Sequence, residues 1–355
     1  MSYMDLIGAK YIAAAWTESP NAAAADYLGT SLFGFQKQIS LDLAWIKGSG
    51  GVPVSLSPSA FDAEVPLRGR IGATMMEKEI PLFREGIQLT ERDTRDLMEA
   101  ESRGEPYVLD IMRRIFDDTN NLIRGAKVVP ERMIWQLLAP ENGKPKIEIA
   151  ANGVDYSYDY DPSGEWFKDN FTDVSSTPWS ASSSATPIDN INAIADKASD
   201  NGTEFRYMVM SKNTFNEMSR SEQVQKQILA QNLTANVVIS TETVRDAIEQ
   251  ATKIRPVVYT AVYKDEKGKT HKFYPDGMVT FIPDGQLGNR VFSTTPEEYA
   301  LVGNPNANVA VVENSIAVTT AQISTVPVRI ATYASEMVLP SFERMDEVFV
   351  AKVDA

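Results

Sequence analysis

The chain contains no cysteine and a single histidine, His271. The first absence removes disulfides, thiolate metal sites and thiol nucleophiles together, and it fits folding in a reducing compartment. The second excludes a multi-histidine metal centre and leaves His271 as the one imidazole open to a Ser-His-Asp triad. His271 stands among Lys267, Lys269 and Lys272 on an expected hairpin, where a solvated surface residue is the simpler reading. No glycine-rich loop of the P-loop or dinucleotide type lies between a predicted strand and a predicted helix. Charge interrupts every apolar run before the roughly 20 residues that a membrane span requires. Met1–Lys10 has no basic segment ahead of an apolar run, so no signal peptide is expected. Basic charge is scarce too: 34 Lys and Arg stand against 48 Asp and Glu, for a net −14. That balance disfavours a protein whose main task is gripping phosphate backbones. It suits a surface that stays soluble and repels other copies until docking geometry is right.

What is present is ordinary globular composition, with 43% hydrophobic and 23% charged residues over 355 positions. That is enough for two modest domains or one elaborate one. Residues 1–36 are rich in alanine and small polar residues, broken by Ser19-Pro20-Asn21, and read as an arm that packs on something else. Gln38–Ile46 alternates with Ile39, Leu41, Leu43 and Trp45 on one face, the period of a half-buried strand. Gly48-Ser49-Gly50-Gly51 follows as a flexible tip, then a Pro- and Gly-rich stretch, and Thr74–Leu82 alternates again as a return strand. Lys47–Gly86 is therefore expected to be a long, partly two-stranded projecting loop, a feature that is usually functional in a compact protein. Its mixture of Arg68, Arg70, Glu77, Lys78, Glu79 and Arg84 with apolar residues suits lying across a partner.

A long helix is expected from Glu105-Pro106 to Leu138, with Pro at its first position and a stripe through Leu122, Ala126, Met133 and Leu137. Pro130 should kink or break it. Lys146–Ala150 and Val154–Tyr160 flank Ala151-Asn152-Gly153 as a hairpin. Asp161–Asn190 reads as loop. An α/β pattern then begins. A helix follows Thr186-Pro187, Phe205–Met210 is a strand, and Ser211 opens a helix to about Gln231. Next come a strand at Asn236–Ile239, a helix capped by Ser240 or Thr241, a hairpin about Lys264–Lys269, and a strand at Met278–Pro283. From Thr295 onward the pattern returns to β.

Two groups invite a chemical reading. Asp155, Asp159 and Asp161 alternate among tyrosines, and with Asp117-Asp118 could serve as acid/base or hard-cation groups. A strand with one solvated acidic face explains the alternation as well. Trp166, Phe167, Phe171 and Trp179 resemble a sugar platform, yet such residues more often anchor a long loop. Residue chemistry alone stops at an acidic α/β-plus-β protein with a projecting loop and no cofactor.

The order of elements, together with Phe273-Tyr274-Pro275-Asp276-Gly277-Met278-Val279 and Leu339-Pro340-Ser341-Phe342-Glu343-Arg344-Met345-Asp346-Glu347, resembles the lambda-type phage major capsid protein E family. The resemblance implies an α+β, Hong Kong phage-type capsid fold: N-arm 1–36, extended loop 37–89, and a peripheral β-rich domain 90–185 with a spine helix. An inserted α/β axial domain at 186–295 and return strands at 296–355 complete it. It implies a structural protein with no catalysis and no cofactor, assembling as pentamers and hexamers into an icosahedral shell around double-stranded DNA. On that reading Arg68, Arg70, Glu77, Lys78, Glu79 and Arg84 make contacts between subunits. Scaffold, portal and decoration proteins are the further partners, DNA is touched only non-specifically, and no membrane is involved. The protein would pass from host cytoplasm to virion. The alternatives are another virion component, such as a tail-tube protein, and a carbohydrate-active enzyme. The latter needs two carboxyl groups facing each other across a cleft.

Overall fold

The structure is a computed structural model that describes residues 8–18, 27–47, 74–93, 95–96, 99, 107–151, 153–231, 240–302, 308–325 and 328–354. In chain order it opens with α1 (Ala9–Glu18), α2 (Leu28–Leu32), β1 (Phe33–Gln38), β2 (Asp42–Lys47), β3 (Thr74–Glu79) and β4 (Leu82–Leu89). Then come α3 (Tyr107–Leu138), β5 (Lys146–Ala151), β6 (Val154–Asp159), α4 (Glu165–Asn170) and β7 (Phe171–Asp173). Next are α5 (Pro187–Asp200), β8 (Phe205–Met210), α6 (Lys212–Arg220), α7 (Glu222–Gln231), α8 (Thr241–Thr252) and β9 (Arg255–Val258). The hairpin β10 (Val262–Lys264) and β11 (Thr270–Lys272) precedes β12 (Met278–Pro283), β13 (Gly288–Ser293) and α9 (Pro296–Leu301). Strands β14 (Asn308–Val312), β15 (Ile316–Thr325), β16 (Val328–Ser341) and β17 (Phe349–Lys352) close the chain. The Gly48–Gly51 tip, the helix start at Glu105-Pro106 and the strand expected at Asn236–Ile239 lie outside the described residues.

The chain divides into two compact units: Met1–Leu43, Glu77–Arg132 and Asn289–Ser341 form one, and Ala44–Met76, Met133–Gly288 and Phe342–Ala355 the other. The first is built on a sheet of order β1-β13-β16-β15-β14, with β4 also paired to β16. Its central strand β16 runs antiparallel to β15 (Ala317 opposite Ser335) and to β4 (Gly86 opposite Tyr333). Helix α1 places Ala9, Ile12 and Trp16 on one face at helical spacing. They are buried with Leu122 and Ile123 of α3 and with Val312, Ile316, Val318 and Ala334 of the sheet. The body on which this part of the arm packs is thus the chain's own sheet. Trp16 Nε1 completes the contact by donating to Glu313 Oε1 at 2.9 Å.

Helix α3 continues through Pro130 to Leu138, so the proline does not break it. An interior proline removes one backbone bond at a cost of about 3 kcal/mol. Burial on the following turns, at Met133, Ile134, Leu137 and Leu138, outweighs that loss. The side chain after the proline, Glu131, is fully buried and accepts from the backbone N–H groups of Gly29 and Thr30, each at 2.9 Å. It thereby satisfies two of the free donors that open α2.

The second unit carries a mixed sheet of order β7-β17-β12-β8-β9. Strands β8 and β12 coincide with the expected spans, and β12 is buried along its whole length. Ile188, Ile191, Ile194 and Ala198 of α5 pack with Phe215, Met218, Val224, Ile228, Val244 and Ile248 of the next three helices. The single helix expected from Ser211 to Gln231 is two helices. Ser221 is extended (φ −62°, ψ 139°), its hydroxyl donates to Met218 O at 2.8 Å, and it accepts weakly from Val224 N at 3.4 Å. A serine hydroxyl competing for backbone partners is what ends one helix and starts the next. The stretch read as loop, Asp161–Asn190, contains α4 and β7, and β7 pairs parallel with β17.

The Phe273–Gly277 turn is tied from every side. Gly277 takes φ +74°, its N–H donates to Thr214 Oγ1 at 2.9 Å, and its carbonyl accepts from Val353 N at 2.8 Å. Asp276 Oδ2 accepts from Asn213 Nδ2 at 2.9 Å and Lys272 Nζ at 2.6 Å. The Tyr274 hydroxyl reaches Thr280 Oγ1 at 2.8 Å, and Thr280 donates in turn to Leu138 O at the end of α3. Burial pushes the Tyr274 phenol well above its usual range.

Candidate inter-subunit surface

Most of the residues that could carry chemistry are used in holding the fold, while Asp117, Asp118 and Asp155 stand exposed. Asp161 is buried and caps α4, accepting from Trp166 N at 3.2 Å and Phe167 N at 2.9 Å. Asp159 Oδ1 accepts from the backbone N–H of Asp161. Trp166 and Trp179 are buried, donating to Met345 O and Asn190 Oδ1, while Phe167 stacks on Phe171 at 5.2 Å. Trp166 and Trp179 are loop anchors without the exposed ring faces a sugar platform needs, and Phe167 keeps 41% exposure beside Phe171. Among the described residues no group of three or more His, Asp or Glu could hold a metal. His271 is not simply solvated: its Nε2 pairs with Asp265 Oδ2 at 2.8 Å and its ring stacks on Tyr263. The bond to His271 holds the Asp265 carboxyl below the usual carboxylate range, helped by the backbone donors of Lys269 and Lys267. Both partners close the Lys264–Thr270 hairpin, a structural task.

Of the expected contact residues, Arg68 and Arg70 lie outside the described residues. Strands β2 and β3 pair with each other as a two-stranded ribbon. On β3 the alternation holds: Met76 and the following Ile80 are buried, while Glu77 and Glu79 are exposed and Lys78 is half-buried. Arg84 of β4 instead pairs with Glu297 of the same chain at 2.5 Å, and Lys37 pairs likewise with Glu298. Both acids occupy the first turn of α9, where the helix dipole favours negative charge.

The alternation from Gln38 to Ile46 is not one strand. Leu43 and Trp45 are buried, but Ile39 and Leu41 stand outside at 79% and 47% exposure. The chain turns between them. Gln38 Nε2 donates to the carbonyls of Ser40 and Asp42, both at 3.0 Å, and Asp42 N donates to Ser40 Oγ at 3.1 Å. Ser293 Oγ donates to Ser40 O at 3.0 Å, Thr294 N to Gln38 O at 3.2 Å, and Ile80 N to Leu41 O at 2.8 Å. Side-chain bonding to nearby backbone, invisible in a hydrophobic alternation, creates this corner.

The first unit also has a partly open pocket of about 150 Å³, lined by Phe35, Pro130, Phe292, Lys127, Arg290, Glu313 and Glu336 among others. Lys127 Nζ pairs with Glu313 at 3.1 Å, and Arg290 Nε donates to Phe33 O at 3.1 Å. Glu336, on β16, is 2% exposed, and its Oε2 accepts no hydrogen bond. Burial pushes its carboxyl up to about 8; Arg290 and Lys127 lower it and Glu313 raises it, without reversing the effect of burial. At neutral pH Glu336 is therefore a neutral acid inside the sheet.

A two-stranded ribbon, a long continuous helix and a mixed-sheet unit in an α+β chain have the architecture of the Hong Kong phage-type capsid fold. The profile of the phage major capsid protein E family matches residues 8–353, and the chain belongs to that family. It is a structural, non-enzymatic protein of the virion shell. Among solved structures it is similar to the proposed capsid protein of a prophage of Escherichia coli CFT073, at 13% identity, TM-score 0.58, and 92% and 93% coverage of the two chains. A phage-related protein from Bordetella bronchiseptica RB50 matches at 10% identity and TM-score 0.53, with 97% of each chain covered. At such identities these likenesses speak for the fold. No curated protein sequence matches the chain. Among the described residues no helix is long and apolar enough to cross a membrane.

Proposed function

We propose that the chain assembles as pentamers and hexamers into an icosahedral shell around double-stranded DNA, with the segment 37–89 lying across a neighbouring copy. The observation that carries this reading is the β2–β3 ribbon, paired only within itself among the described residues, with Glu77 and Glu79 exposed on one face and the half-buried Lys78 on the face of the buried Met76 and Ile80. A two-stranded ribbon is marginal alone in water and gains from a surface to lie on. The charged residues Arg68, Arg70, Glu77, Lys78, Glu79 and the exposed part of Arg84 set register across that contact more than affinity. Closed symmetry multiplies each weak contact over many copies. Residues 1–36 act as arm, 90–185 and 296–355 as peripheral domain, and 186–295 as axial domain. Scaffold, portal and decoration proteins are the further partners, and the acidic chain meets packaged DNA only non-specifically. Subunits fold in host cytoplasm before assembly.

Negative-stain electron microscopy of the purified chain, alone and co-expressed with its neighbouring genes, tests this. Pentamer and hexamer rosettes or closed shells are expected. Uniform tubes, or a chain that stays monomeric with all those partners present, would overturn it.

A further inference from the structure

We propose that Ile39 and Leu41 form a prebuilt apolar anchor by which one copy of the chain docks on apolar surface of a second copy. The inference deepens the reading that the segment 37–89 lies across a neighbour, and rests on it. Four observations support it. Two large aliphatic side chains, one residue apart, are held out in water although the sequence alternation groups them with the buried Leu43 and Trp45. Their corner is fixed by hydrogen bonds from Gln38, Asp42, Ile80, Ser293 and Thr294, on separate parts of the chain. A backbone fixed in this way lowers the entropy cost of docking, because only the rotamers of the two side chains remain to be ordered. A loop that merely connected two strands would have no need of it.

The third observation is charge. Copies carrying −14 each repel one another. Gln38-Ile39-Ser40-Leu41 itself carries no charge; of its flanking residues Lys37 is paired with Glu298 and Asp42 is exposed. Contact made by Ile39 and Leu41 with Asp42 left at the wet rim lets two like-charged copies meet here without burying an ion, which would oppose contact. The fourth is the family: a shell subunit meets its own copies as its main partners, so the occupant assigned is a second copy. An apolar centre with a polar, solvent-accessible rim is the usual anatomy of a contact between subunits.

The test compares wild type with Ile39→Ser/Leu41→Ser, with the conservative pair Ile39→Val/Leu41→Met, and with the charge-reversed Glu77→Lys/Glu79→Lys. Full-length proteins are followed by sedimentation velocity and negative stain over a concentration series, with circular dichroism melting as the check on folding. The serine pair should raise the concentration needed for assembly roughly tenfold or more and leave melting unchanged. The conservative pair should assemble close to wild type. Assembly of the serine pair at the wild-type threshold overturns the anchor. If the charge-reversed protein alone fails, the segment still lies at an interface but is held by its acids. If neither assembles differently from wild type, the reading of the whole segment falls too. A lowered melting temperature in the serine pair would place these side chains inside the subunit's own fold and equally overturn the proposal.

Discussion

Replacing Glu336 with glutamine should change how the subunit responds to pH far more than how it folds at low pH. In the unfolded chain a glutamate carboxyl releases its proton near 4.5, whereas in the folded chain burial holds the proton on Glu336 up to about 8. Between those two values folding takes up one proton. Stability contributed by the protonated group is therefore full below 4.5, falls by about 1.4 kcal/mol for each pH unit above it, and levels off above 8. The whole interval corresponds to about 5 kcal/mol, an upper figure because a relaxed pocket admits water to the ionised carboxylate. The charged groups that line the pocket beside Glu336 are Lys127 from α3, Arg290 from β13 and Glu313 from the turn before β15.

Glutamine has the same shape and cannot ionise. Denaturant unfolding of wild type and Glu336→Gln, run in parallel on subunits kept below the assembly threshold at pH 5 to 9, isolates this one group because other titrations cancel in the difference. The two proteins should be nearly equal at pH 5, and the variant should be ahead by several kcal/mol at pH 8. The difference should stay constant above that. A difference independent of pH across the range would show that Glu336 ionises normally. The pocket would then be wet and polar enough to carry the charge.

Other expectations are simpler. Glu131→Ala should cost about 3 kcal/mol in denaturant unfolding, since it strands the buried N–H of Gly29 and the partly buried N–H of Thr30. Gly29→Ala should also destabilise, because a Cβ there would sit 2.7 Å from Glu131 Oε2; a neutral result would mean that the carboxylate can swing aside. Trp166→Ala should lose about 3–5 kcal/mol from the buried indole and its bond to Met345 O. In a double-mutant cycle on Arg84 and Glu297 the coupling should be no more than about 1 kcal/mol, the arginine side chain being nearly half exposed. A markedly larger coupling would mean that this pair anchors β4 to α9.

How much of this was legible in the chain depends on whether local chemistry or tertiary placement decides. The helix opened by Thr186-Pro187 and ended at Asn201-Gly202, the Ser240 cap and the Phe273–Gly277 turn are local, and their residues announce them. Ser221 is local too, but one serine inside a helical stripe is weak warning of a break. Strand β16 shows the opposite limit. Read from sequence, the region from Thr295 onward is only generally β, and its charged and hydroxyl residues, Ser335 and Glu336 among them, give no sign of being buried. In the fold β16 runs to Ser341, and Glu336 is buried. A strand covered on both faces gives no alternation to read. The contact surface was legible only as a region: the loop's charges were visible, whereas the Ile39–Leu41 corner depends on Ser293 and Thr294, some 250 residues away.

Salt separates the two forces that could hold such copies together. If charged pairs of the ribbon supplied most of the affinity, raising ionic strength from about 0.05 M to about 0.5 M would screen them and raise the assembly threshold. Two of the basic side chains described near the corner are, however, already engaged within the chain, Lys37 with Glu298 and Arg84 with Glu297, and Lys78 of β3 is half-buried. On the anchor reading the balance between copies is then set by mutual repulsion from a net −14 and the attraction of uncharged apolar surface. Salt weakens the former and leaves the latter intact or stronger. The threshold measured by light scattering should therefore fall as sodium chloride is added. A threshold that rises with salt would refute an apolar anchor as the main source of affinity and return that role to the charges on β3.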